Sequence, residues 1–125
     1  MTYNLSNKSL AKLDGVHPDL VAVVKRAIQI SEQDFSVGEG LRSLSRQREL
    51  VNTGKSTTMN SRHLTGHAVD LFPYPLSWDW HYFYPIADAM KQAAKELDVD
   101  LEWGGDWKTF ADGPHWQLSW ENYPK

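Results

Sequence analysis

The sequence predicts an α+β domain, a small and mostly antiparallel sheet with flanking helices. Three observations lead there. Val16–Ile30 and Trp80–Leu97 place apolar residues at helical spacing. Four short stretches alternate or cluster as strands: Asp34–Glu39, His67–Phe72, Leu101–Trp103 and His115–Trp120. The order of these elements lacks the strand–helix–strand rhythm that a parallel sheet requires.

In the first helix Asp14 is the expected cap, and Pro18 suits the first turn, where a missing N–H costs nothing. Leu20, Val21, Val24, Ala27 and Ile28 form its apolar face. Asp34–Glu39 alternates weakly, and Gly40 after it permits a turn or bulge. Ser45–Val51 reads as a short polar helix stopped near Gly54. Lys55–Gly66 is rich in Ser, Thr, Asn and Gly and is expected to be an exposed functional loop. The strand His67–Phe72 ends at the prolines Pro73 and Pro75. The stripe Phe83, Ile86, Ala87, Met90, Ala94 and Leu97 marks the buried face of the second long helix. Gly104 and Gly105 make a turn, and Trp116, Leu118 and Trp120 alternate along the last strand.

The chain has 125 residues and is read as a single domain over 1–125. Six Trp offset a 41% hydrophobic fraction, because each large ring buries about 150–250 Å². A net charge of −3 argues against a nucleic-acid partner. With no Cys, disulfides, thiolate metal sites and cysteine nucleophiles are excluded. The N-terminal segment carries no apolar leader, and no run is long enough to cross a membrane, so neither a secretory signal nor a membrane anchor is expected.

Two segments carry chemistry. In Ser61-Arg-His63-Leu-Thr-Gly66-His-Ala-Val-Asp70, His63 lies on the polar loop and Asp70 on the strand that follows. A turn at Gly66 lets both side chains converge, and imidazole and carboxylate are ordinary zinc ligands at roughly 2.0–2.2 Å. Alternatively, His63 is a surface residue and Asp70 a local cap. In Asp112-Gly-Pro-His115, a turn can bring the Asp112 carboxylate beside a metal held by His115 without ligating it, where a general base belongs. The plainer alternative is a turn aspartate and a histidine at a sheet end. Together the segments offer three N/O ligands and a spare carboxylate, the donor set of a catalytic site with an open position rather than a structural one.

Arg42 follows a strand and a glycine, where a guanidinium can stabilise an oxyanion or hold a carboxylate, or simply pair with Glu39 in solvent. Ser61 is either a substrate-binding hydroxyl or a loop residue. Strand alternation turns His67 away from Asp70, and His17 and His81 read as helix-entry residues. Trp103, Trp116 and Trp120 are assigned to the core, whereas Trp78, Trp80 and Trp107 lie near loops and can rim a groove.

These motifs carry a resemblance. Ser61-x-His63-x-x-Gly66-x-Ala68-x-Asp70 resembles the signature of the D-Ala-D-Ala carboxypeptidase (VanY-like) zinc metallopeptidases. Asp112-x-x-His115 resembles their second motif, and Gly40-Leu-Arg42-Ser their Gly-hydrophobic-Arg-Ser/Thr element. The likeness runs from about Leu20 to Leu118. Within the group the compact chain looks most like phage endolysins that act as L-alanyl-D-glutamate peptidases. Many relatives carry Glu where this chain has Asp112, and the shorter side chain matches the endolysin-like branch.

The resemblance implies a hedgehog/D-Ala-D-Ala peptidase-like fold. It implies one Zn²⁺ held by His63, Asp70 and His115, with Asp112 as catalytic base. Arg42 is implied in oxyanion stabilisation or substrate binding, and Ser61 in substrate contact. In the mechanism that follows, Asp112 takes a proton from the attacking water and passes it to the leaving amine, with no covalent enzyme intermediate. The expected activity is hydrolysis of the L-Ala–D-Glu bond of the murein stem peptide for host cell lysis. The protein is expected to be a monomer, held in the host cytoplasm until the membrane is permeabilised and then acting on periplasmic murein. Two alternatives stand beside this one. A D,D-carboxypeptidase would trim terminal D-Ala, and a non-catalytic zinc- or murein-binding module would need no base at Asp112.

Overall fold

The computed structural model describes residues 2–109 and 111–124. Its elements run α1 (Asn7–Lys12), α2 (Pro18–Ile30), β1 (Phe35–Glu39), α3 (Leu44–Asn52), a 3-10 turn (Arg62–Thr65), β2 (Ala68–Pro73), α4 (Trp80–Leu97), β3 (Leu101–Trp103), a second 3-10 turn (Gly104–Asp106) and β4 (His115–Leu118). The four strands form one sheet in the order β1-β2-β4-β3, every neighbouring pair antiparallel. The α+β expectation holds.

Side-chain alternation splits this sheet into two faces with different work. Val69 and Leu71 on β2 and Trp116 and Leu118 on β4 join the core with the apolar faces of α2 and α4. Those helices supply Leu20, Val23, Val24, Ala27 and Ile28, and Phe83, Ile86, Ala87, Met90, Ala93 and Ala94. Burying each large aliphatic or aromatic side chain contributes about 1.5–3 kcal/mol, so this face holds the domain together. The intervening residues Asp70, His115 and Gln117 fall on the opposite face, with Asp70 directly across from His115 in the register. A bulge in β1 extends this second face. Val37 pairs with Leu71 and Glu39 with Asp70, so two residues of β1 advance against one of β2. Phe35 and Val37 belong to the core, and the extra residue turns Glu39 to the Asp70 side.

Several local expectations are corrected. The cap of α2 is His17, whose Nδ1 accepts from the Asp19 N–H at 3.1 Å; Asp14 does not cap it. On α2 Val23 is fully buried, and Val21 only partly. Helix α1, at six residues, is too short to write a periodic signal in the sequence; its Ser6 cap accepts from the Ser9 N–H. On α4 Leu97 is exposed, because Asp98 ends the helix there in the left-handed region. The last strand stops at Leu118, and Trp120 is exposed rather than in the core; the Arg62 guanidinium lies over its ring, 4.0 Å from the centroid. The 55–66 segment is exposed as expected over 57–60, but Arg62 and His63 are only 3% and 2% accessible.

Candidate metal centre and cleft

The site begins with Asp70, held in mid-strand between β1 and β4. Its Oδ1 lies 3.3 Å from His63 Nε2 and 3.4 Å from His115 Nδ1. One donor atom from each residue lies within 4.8 Å of the other two, an arrangement able to hold a metal ion.

His63 arrives on the 3-10 turn. Ser61 caps that turn, its hydroxyl accepting from the His63 N–H at 3.2 Å, and Gly66 closes it in the left-handed region with φ 75°. Arg62 pins the same turn to the far end of the sheet, donating through Nη2 to the carbonyls of Leu118 and Tyr123 at 2.9 and 2.7 Å. The His63 Nδ1 lies 2.8 Å from the Gly40 carbonyl. A carbonyl only accepts, so Nδ1 carries the proton and Nε2 presents a lone pair. That Nε2 is buried and has no hydrogen-bond partner. His115 is oriented by a similar device: its Nε2 lies 2.8 Å from Gln117 Oε1, which turns Nδ1 toward Asp70.

Two imidazole lone pairs and a carboxylate oxygen therefore point at one another. Three acceptors cannot satisfy each other, and the cluster calls for a cation between them. A proton meets part of that demand in the ion-free protein. Burial opposes charge on Asp70, but the imidazoles of His115 and His63 beside it outweigh that and hold the carboxyl well below the usual carboxylate range. Burial likewise opposes charge on His115, and the hydrogen bond and negative charge of Asp70 push its pKa up. A divalent ion meets the demand fully, and two imidazoles with one carboxylate are a donor set that zinc accepts.

Asp112 stands at the mouth of this cluster, exposed, on the turn before β4. Its N–H donates to the Gly104 carbonyl at 2.9 Å, and its own carbonyl accepts from the His115 N–H at 3.2 Å. Trp103 Nε1 holds the next residue, donating to the Gly113 carbonyl at 2.7 Å. Gly104 makes this approach possible: a Cβ there would lie 2.4 Å from the Asp112 carbonyl oxygen. The Asp112 pKa is raised, first by partial loss of water around the carboxyl and then by the negative charge of Asp70.

Arg42 also faces the cleft, and its guanidinium is largely engaged by the protein. It pairs closely with Glu39, donates to Gln47 Oε1 at 2.7 Å and reaches Ser61 Oγ at 3.5 Å. Its Nη2 lies 3.9 Å from Asp70 Oδ2. Gln47 is fully buried and ties Arg42 to the following loop, its Nε2 donating to Ser56 Oγ and the Thr58 carbonyl at 3.0 and 2.6 Å. Trp107 packs its ring against His115, centroids 5.2 Å apart. Together Arg42, His63, Asp70, Trp107, Asp112 and His115, with Leu50, Lys55 and Ser56, line a cleft of about 280 Å³. Larger clefts of about 450 and 560 Å³ lie elsewhere, but neither gathers a comparable set of donors.

The six residues singled out from the sequence, Arg42, Ser61, His63, Asp70, Asp112 and His115, thus meet at one place. His67 stays outside it, its Nδ1 2.6 Å from Thr65 Oγ1 and its ring near His17. Trp107 borders the cleft, whereas Trp78 and Trp80 cluster with Phe83. Glu39 pairs with Arg42, as the plainer reading of that arginine has it, and Gly104 lies in the expected turn, whereas the supporting residues Gln47 and Gln117 were not foreseen. Only Gln117 left a local signal, since a polar residue two positions from His115 shares its strand face.

Comparisons with known proteins bear on this geometry. A family model described as phage L-alanyl-D-glutamate peptidase matches residues 1–118. An L-alanyl-D-glutamate peptidase of Escherichia phage T5 is 32% identical over 119 residues, covering 90% of this chain and 87% of that protein. The L-alanyl-D-glutamate peptidase of Listeria phage A118 is also 32% identical, over 98% of this chain but only 45% of that protein. The crystal structure of the Serratia marcescens L-Ala D-Glu endopeptidase ChiX superposes with a TM-score of 0.92 at 52% identity, covering 95% of this chain and 92% of that one.

Proposed function

The chain belongs to the phage L-alanyl-D-glutamate peptidase family, and from that premise we propose that it is a zinc-dependent peptidoglycan endopeptidase cleaving the L-Ala–D-Glu bond of the murein stem peptide. The observation that carries the metal half of this reading is the buried, unpartnered Nε2 of His63, aimed at Asp70 and His115. His63 through Nε2, His115 through Nδ1 and Asp70 through its carboxylate would hold the ion. When bound, zinc supplies Lewis acidity, polarising the scissile carbonyl and acidifying the attacking water.

The chain's own residues supply the rest. Asp112, at the cleft mouth with a raised pKa, takes the proton of the attacking water and returns it to the leaving amine. Arg42, fixed by Glu39 and Gln47, places a permanent positive charge beside Asp70, where negative charge builds on the carbonyl oxygen. Ser61 holds the His63 turn and sits within reach of Arg42, so any substrate contact it makes is joined to a positioning job. The half-exposed Trp107 offers an apolar wall to the peptide. Among the described residues no helix is long and apolar enough to cross a membrane, and we place the work of the protein on murein, reached from the host cytoplasm once the membrane is opened.

Digestion of purified murein followed by mass spectrometry of the products tests the reading. Release of peptides beginning at D-Glu supports it. Loss of a single terminal alanine indicates a D,D-carboxypeptidase, and binding to sacculi without soluble product indicates a binding module.

A further inference from the structure

The geometry points to Lys55 as the residue that reads the free carboxylate of the glutamyl residue next to the scissile bond. The inference rests on the endopeptidase reading and concerns substrate choice within the same cleft. A glutamyl residue in a peptide uses its amine and one of its two carboxyl groups. The other stays free and ionised close to the bond being cut, so an enzyme acting there meets an anion.

Arg42 would be the obvious partner, but its guanidinium is already bound to Glu39 and Gln47, with Ser61 and Asp70 beside it. It supplies field to the site while having little donor capacity left for a second carboxylate. Lys55 lines the same cleft and is exposed, and no ion pair engages its ammonium among the described residues. Its position is not that of a loose loop residue. Helix α3 ends in a Schellman motif: Gly54 takes φ 76°, its N–H donates to the Val51 carbonyl at 3.1 Å, and the Lys55 N–H donates to the Leu50 carbonyl at 2.8 Å. The motif sets Leu50 and Lys55 side by side, and both line the cleft. The next turn of chain is tied back through Ser56 Oγ to the buried Gln47, which also holds Arg42. One buried glutamine thus sets both the engaged cation and the segment that carries the free one.

The test uses the zinc-loaded full chain and two synthetic stem peptides, identical except that the free glutamyl carboxylate is left as such or converted to a carboxamide. The wild type is expected to favour the carboxylate peptide in kcat/KM by roughly fivefold, the size of one exposed charge pair. Added salt should shrink that preference. K55Q should bring the ratio to near one, and K55R should restore the preference. The helix cap is made by backbone groups, so these exchanges leave the fold in place. A wild-type ratio near one, or a K55Q ratio equal to that of the wild type, overturns the assignment of Lys55 while the endopeptidase reading stands. Failure to cut either peptide between L-Ala and D-Glu overturns both.

Discussion

His115 and Gln117 sit two positions apart on β4, and the 2.8 Å contact between His115 Nε2 and Gln117 Oε1 decides which ring nitrogen faces Asp70. The amide oxygen accepts the Nε2 proton, so Nδ1 is left as the donor atom toward the cluster. Removing the amide should release the ring without removing the ligand. Gln117→Ala is expected to weaken zinc affinity by about 10–100-fold, and Gln117→Glu to retain most of it. Competition with a chromophoric chelator measures this, and unchanged affinity in the alanine variant would show that Gln117 does not orient the ring.

Ligand and base should separate cleanly. His63→Ala, Asp70→Ala and His115→Ala are each expected to lose bound zinc together with turnover. Asp112→Asn should keep one ion per chain while kcat falls by about 10²–10⁴-fold. Metal analysis of the purified variants alongside muropeptide release distinguishes the two classes. Near-normal turnover in Asp112→Asn would remove Asp112 as the base.

The turn carrying Asp112 depends on the missing side chain of Gly104. Gly104→Ala places a Cβ 2.4 Å from the Asp112 carbonyl oxygen and 3.0 Å from His115 Cβ, so the turn must shift. A cost of about 1–3 kcal/mol in stability is expected, seen as a lower denaturant midpoint with unchanged slope. Turnover should fall more than zinc affinity, because the shift moves Asp112 directly. An alanine variant with normal stability and rate would mean that the turn has room to spare.

Metal-free and zinc-loaded protein should respond to pH in opposite directions. Asp70 is held below its ordinary pKa, so its contribution to stability is present above about pH 4 and fades as pH falls further. His115 is raised above its ordinary pKa, so its contribution is complete below about pH 6.5 and is lost as pH rises through the folded-state value. Without metal, this cluster therefore stabilises the fold most between those limits, and its contribution declines as pH rises through the raised His115 value. Zinc requires His115 without its added proton, so affinity rises over the same range. Melting temperatures from pH 6 to 8.5, with chelator and with fixed free zinc, should slope downward and upward respectively. Parallel slopes would contradict a shared site for proton and metal.

How much of this was legible in the sequence follows from how far each signal reaches along the chain. The spacing of Leu20, Val24, Ala27 and Ile28, and of Phe83, Ile86, Ala87 and Met90, declared α2 and α4, because helix burial is written every three to four residues. Alternation in β2 and β4 placed Val69 and Trp116 on one face and Asp70 and His115 on the other for the same local reason. The residue types at His63, Asp70, Asp112 and His115, in their order and spacing, marked the chemistry. Packing decided what periodicity cannot express. His63 is buried rather than exposed because Arg62 ties its turn to carbonyls more than fifty residues away. Its tautomer is set by the Gly40 carbonyl, and Arg42 is held by Gln47 and by a Glu39 that a bulge turned to the site face. Such partners meet only when the sheet and its loops close. A hydrogen bond depends on distances across the folded structure, whereas a hydrophobic period depends on the adjoining turn of chain.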